Sequence, residues 1–137
     1  MSMTLSLGWV IVFVEDAVEA AAFYTTTFGI PHDFTSPDGS HAQLNTGQTK
    51  LAFATYRRAA ENIPGGVQPS GPTPANVEVL LVHEDVDAAL AQALAAGCTL
   101  LAPAADKPHG QRVAFVRDPF GTLLELATPQ PVVPAHQ

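Results

Sequence analysis

The sequence predicts an α+β fold of two βαβββ halves that form one curved mixed sheet around a cup. Three observations carry this prediction. Two short apolar runs, 9–14 and 77–82, each lead into a Glu-Asp pair, Glu15-Asp16 and Glu84-Asp85. Each pair opens an alanine-rich segment closed by a glycine, Gly29 or Gly97. Each glycine is followed by three further strand-like runs broken by turn residues, so the chain uses one plan twice.

Taken in order, the run 9–14 is β-branched and aromatic and too short for a typical helix, which makes it a buried strand. Asp16 starts a helix over 17–28: its carboxylate caps the free amides of the first turn, Glu19 stands three residues on, and Gly29 fits the position just past the end. Strands follow at 30–35, 40–44 and 49–55, separated by Pro37-Asp38-Gly39 and Asn45-Thr46-Gly47. The second half repeats the order, with a strand at 77–82, a helix at 86–96 and strands at 99–102, 112–117 and 122–127. Asp118-Pro119-Phe120-Gly121 makes the tight turn between the last two strands. The halves span 5–58 and 76–128 of a single 1–137 domain. They are joined by a linker over 59–75 that is rich in proline and glycine, and 129–137 reads as a frayed tail.

A half of this kind covers one sheet face with its helix and leaves the other bare. Two halves solve the problem by pairing their bare faces, within the chain or across a homodimer.

Composition narrows the function. With 47% apolar and 14% charged residues among 137, the chain supports one compact core. Thirteen acidic against six basic side chains give a net charge of -7, which repels phosphate backbones and anionic lipid and argues against a nucleic-acid or membrane partner. The apolar segment 7–14 is too short to span a bilayer and has no basic flank, so the expected location is the cytoplasm. The single cysteine, Cys98, excludes an intramolecular disulfide and reads as a small buried side chain. No dinucleotide-binding, phosphate-loop, zinc-protease or nucleophile-elbow motif is present.

The strings Val14-Glu15-Asp16, Ala22-Phe23-Tyr24 and Phe28-Gly29 in the first half carry a family resemblance. So do Glu84-Asp85-Val86, Pro108-His109-Gly110-Gln111-Arg112 and the run from Asp118 to Leu126 in the second. From Trp9 to Pro129 the chain resembles the vicinal oxygen chelate superfamily, which includes glyoxalase I, bleomycin-resistance proteins, fosfomycin-resistance enzymes and extradiol dioxygenases. The resemblance implies a small-molecule ligand in the cup. It also implies that metal-dependent members place ligands on the first and last strands of each half.

Counting seven residues back from each helix-starting aspartate gives Trp9 and Glu78, and counting four past each final-turn glycine gives Leu51 and Glu125. The second half thus offers two carboxylates and the first none. If a divalent metal is held, Glu78 and Glu125 are its ligands, with His41 as a further donor. Without a metal, either glutamate is a general base, and Arg112 is the cation that would steady an enolate. Trp9, Leu51, Phe53 and Phe115 are expected to line the cup, with His41, His109 and Arg112 as polar contacts to the ligand. The leading expectation is metal-free sequestration of a drug or metabolite. The alternatives are a metal-dependent lyase or dioxygenase using Glu78 and Glu125, and a metal-free enzyme with a glutamate base.

Overall fold

The structure is a computed structural model that describes residues 2–131; the last residues of the expected tail, 132–137, lie outside the described residues. Two compact units divide the chain, one ending at Ser70 and the other starting at Gly71.

The first unit runs β1 (Trp9–Val14), α1 (Ala17–Phe28), β2 (His32–Thr35), β3 (His41–Leu44), β4 (Lys50–Thr55) and α2 (Tyr56–Asn62). Its four strands lie in the order β1-β4-β3-β2, with β1 parallel to β4 and the other pairs antiparallel. The sequence dictates α1 closely. Asp16 Oδ1 accepts from the Glu19 amide at 3.0 Å, and Gly29 closes the helix in the left-handed region at φ 71°, where a side chain would be strained. Ala17, Ala20, Ala21, Tyr24 and Thr27 recur at helical spacing and are buried. Tyr24 meets Phe53 of β4 with ring centroids 5.0 Å apart, so α1 packs on the sheet face that carries Phe53, Ala42 and Leu44.

The helix α2 was not foreseen. It occupies the end of the expected first half and the start of the expected linker. Thr55 supplies the cap, its hydroxyl accepting from the Arg58 amide at 3.1 Å, and Arg57 and Glu61 pair one turn apart. Seven residues are too few for apolar periodicity to stand out against a linker rich in proline.

The second unit runs β5 (Glu78–Val82), α3 (Val86–Ala95), β6 (Thr99–Asp106), β7 (Arg112–Arg117) and β8 (Leu123–Ala127), in the order β5-β8-β7-β6. It repeats the first unit's pairing: β5 is parallel to β8, and β6–β7 and β7–β8 are antiparallel. Asp85 caps α3, accepting from the Ala88 amide at 3.0 Å. Val116, Leu124 and Leu126 are fully or almost fully buried on the face against α3. Between β7 and β8, Asp118 Oδ1 accepts from the amides of Phe120 and Thr122 at 2.9 and 2.8 Å, which makes the Asp-Pro-Phe-Gly turn a rigid corner.

The strand β6 is longer than expected, since it continues through Pro103 to Asp106 where the sequence predicts an end at Ala102. Proline cannot donate to a ladder, but β6 is an edge strand with irregular register between Leu100 and Ala105, and there a missing donor is tolerated.

Cys98 is buried beneath this unit, and burial, aided by the charge of Asp118, pushes its thiol up to about 11. Ellman's reagent at pH 8 is therefore expected to label it only on unfolding. Rapid labelling of the folded protein would contradict its placement.

Candidate ligand-binding site

Register settles which side chains share a face. In the second unit Glu78 lies opposite Leu123, Leu80 opposite Glu125, and Phe115 opposite Glu125. Because side chains alternate along a strand, Glu78, Leu80, Leu123, Glu125 and Phe115 all stand on the sheet face away from α3. Glu78 and Glu125 are diagonal neighbours across the parallel pair, a spacing that two long side chains bridge.

The Glu78 carboxyl group is close enough to act on that of Glu125. The cause lies in the strand order. Glu125 is on the central strand β8, walled by Phe115 on one side and Leu80 on the other, whereas Glu78 opens the edge strand β5 and is exposed. Burial first, then the hydrogen bond and charge of Glu78, push Glu125 up to about 7, with Lys107 opposing the rise. Near neutral pH Glu125 thus exchanges its proton.

Other expected contacts fall elsewhere. Arg112 has the opposite parity to Phe115 and turns to the α3 side, where Nε and one terminal nitrogen donate to the two Asp87 oxygens at 2.9 and 3.0 Å. Its other terminal nitrogen reaches Asp106 at 3.2 Å. It clamps α3 to the β6–β7 hairpin and does not serve Glu125. The cation whose field reaches Glu125 is Lys107, at the β6–β7 turn. Nothing in the string Lys107-Pro108-His109-Gly110 marks this lysine out as facing Glu125. That histidine is exposed in the same turn, with Nε2 2.8 Å from Gln111 Oε1.

In the first unit the count to Leu51 is off by one. Trp9 lies opposite Lys50 as Glu78 lies opposite Leu123, so the counterpart of Glu125 is Ala52, opposite Ile11. Leu51 and Phe53 point to the α1 side and are buried, Phe53 completely. Trp9 and His41 stand on the opposite face, both tied to Gln43: the indole Nε1 donates to Gln43 Oε1 at 2.7 Å, and His41 Nε2 lies 3.3 Å from the same oxygen. Gln43 was absent from the sequence expectations, because a glutamine on a short strand carries no motif. Its register partner Ala52 would have exposed it, since Gln43 opposite Ala52 matches Phe115 opposite Glu125.

Two four-stranded mixed sheets of one topology, each backed by a helix and one bearing a carboxyl pair on its helix-free face, define a duplicated βαβββ protein. The chain belongs to the Glyoxalase/Bleomycin resistance protein/Dioxygenase superfamily, whose sequence profile matches residues 6–126. It is 28% identical over 129 residues to a candidate glyoxylase, CFP32, of Mycobacterium bovis and Mycobacterium tuberculosis. That match covers 93% of this chain and 46% of the relative, so the chain spans about half the length of the curated relatives it matches.

Among solved structures, a glyoxalase-related enzyme from Fulvimarina pelagi superposes with a TM-score of 0.80 at 21% identity, covering 95% of this chain and 94% of that one. TioX from Micromonospora sp. ML1 superposes at 0.66 with 28% identity, covering 90% and 98%. Lactoylglutathione lyase from Agrobacterium tumefaciens superposes at 0.67 with 18% identity, covering 92% and 95%, and shares the fold.

The superfamily resemblance raises the matter of a divalent ion, and the donor set does not fit one. A tightly held ion such as zinc takes three or four ligands from the protein. The positions matching Glu78 and Glu125 in the first unit are Trp9 and Ala52, and no three His, Cys, Asp or Glu side chains converge among the described residues. Among those residues, too, no helix is long and apolar enough to cross a membrane.

Proposed function

We propose that this protein binds a small basic molecule on the helix-free face of its second unit, as a sequestering protein of the drug- or metabolite-resistance type. The observation that carries the reading is the placing of Glu78 and Glu125 side by side on one sheet face beside Phe115. Where Glu125 holds its proton beside Glu78, an ammonium group supplies the same positive charge with more donors. Phe115 and Leu80 then meet the apolar body of the ligand. The chain's net charge of -7 favours the approach of a cation.

Calorimetric titration with tryptamine, tyramine and phenethylamine, each against its uncharged alcohol analogue, tests the reading. The amines are expected to bind and the alcohols not. Glu125→Gln should weaken amine binding by about tenfold or more, the cost of one charge-assisted hydrogen bond. Equal binding of amine and alcohol, or indifference to Glu125→Gln, would exclude it.

The position of Glu125 near neutrality favours one second reading, a metal-free enzyme in which Glu125 takes a proton from carbon next to a carbonyl. Lys107, not Arg112, is then the cation on hand for the enolate. Deuterium uptake by a ketone panel that depends on both Glu125 and Lys107 would support that chemistry over sequestration.

A further inference from the structure

Trp9 is the single tryptophan of the chain, and 55% of its surface is exposed. An exposed indole on an edge strand is usually free to change rotamer, but this one is tied down. Its N–H donates to Gln43 Oε1 at 2.7 Å, and Gln43 Nε2 donates onward to Asp33 Oδ2 at 2.9 Å. Asp33 faces the Lys50 ammonium at 4.0 Å, and that ammonium donates to Asn45 Oδ1 at 3.1 Å. His41 Nε2 reaches the same Gln43 oxygen, and its ring lies 6.3 Å from that of Phe34. The ties thus cross all four strands of the sheet, from β1 through β3 and β4 to β2.

Packing does not account for this arrangement, since over half of the residue's surface remains in solvent, as do 41% of the surface of Ile11 on the same strand face and 51% of Phe34. Binding does account for it. A ligand that stacks on a mobile side chain must immobilise it at an entropic cost, whereas a ring fixed during folding has already lost that freedom. The face of tryptophan carries the negative lobe of the ring quadrupole, the best of any side chain for a cation.

We propose that Gln43 is a positioning residue that fixes Trp9 as a stacking plate, and that the plate takes a planar cationic heteroaromatic ring. The proposal deepens the small-molecule reading above and rests on it only in supposing that a ligand exists. Its geometry lies wholly within the first unit.

Trp9 fluorescence reports on the plate directly, because no other tryptophan contributes. The first measurement needs no ligand. Time-resolved anisotropy of the wild type should lack a fast local component, and Gln43→Met, which keeps the bulk but removes both hydrogen bonds, should introduce one while the melting temperature stays within about 2 °C. Exchanging the partners' chemistry, with Gln43→Glu and Asp33→Asn together, keeps an acceptor for the indole and a donor–acceptor pair behind it, so the fast component should vanish again. A fast component already present in the wild type, or none in Gln43→Met, would overturn the positioning role.

The second measurement is a titration of the same fluorescence with N-methylquinolinium, with quinoline at alkaline pH as the uncharged ring of equal size and with tetramethylammonium as the non-planar cation. Quenching should saturate for N-methylquinolinium about three- to tenfold tighter than for quinoline, be absent for tetramethylammonium, and weaken several-fold in Gln43→Met. Linear, unsaturating quenching or equal affinity for the two rings would overturn the ligand class. Amine binding at Glu125 is read by calorimetry on other residues, so the two failures are told apart.

Discussion

Replacing Phe53 with alanine is expected to cost about 3–5 kcal/mol of folding stability, whereas Phe115→Ala should cost about 1–2 kcal/mol. Both are phenylalanines on inner strands of equivalent sheets, and sequence reading gave both the same role, lining for a ligand. The structure separates them. Phe53 is fully buried against Tyr24, itself fully buried, and its loss leaves a cavity between α1 and β4 that neither rigid element collapses to fill. Phe115 stands on the helix-free face opposite Glu125 and retains contact with solvent, so its truncation opens less new volume. Urea denaturation of the two variants measures the difference, and calorimetry with tryptamine supplies the converse. Phe115→Ala should weaken binding while Phe53→Ala, at temperatures where it stays folded, should not. Equal stability losses would mean that the face assignment is wrong.

That contrast also marks how far the sequence could be read. The duplicated strand–helix–strand plan was legible because its signals are local: the capping aspartates, the closing glycines and the Asp-Pro-Phe-Gly turn each act within a few residues. Faces are a different matter, because the side-chain period on a strand is two and one residue decides everything. The strand after Gly121 comes into register with Glu78 two residues on, at Leu123, but the strand after Gly47 comes into register with Trp9 three residues on, at Lys50. The turn in the first unit is one residue longer. A count transferred from one half to the other therefore lands on Leu51 in the core instead of Ala52 on the opposite face. Arg112 failed for a similar reason. Its neighbours in sequence say nothing of parity, and one step along β7 separates the Glu125 face from the α3 face. Glu78 and Glu125 fall on one face as counted, because the turn that positions Glu125 is the one with the strongest motif.

The carboxyl pair gives the protein two pH dependences of opposite sign over one window. Glu125 is held up to about 7 in the folded chain, by burial first and then by Glu78, against an ordinary value of 4.5. Since the folded state binds the proton more tightly than the unfolded chain, the stabilisation is complete below about 4.5 and is lost as pH rises through about 7. Water reaches the pair from the Glu78 side, which screens it, so the loss is on the order of 1 kcal/mol, a fall of about 3–5 °C in melting temperature relative to Glu125→Gln between pH 5 and 8. Amine binding should move the other way. An ammonium group competes with this proton, so affinity should rise about tenfold per pH unit below 7 and level off above it, with no such slope in Glu125→Gln. Parallel curves, with stability and affinity rising or falling together, would show that the proton and the ligand do not share a place, and the pair would then be a structural feature of the sheet and not a receptor.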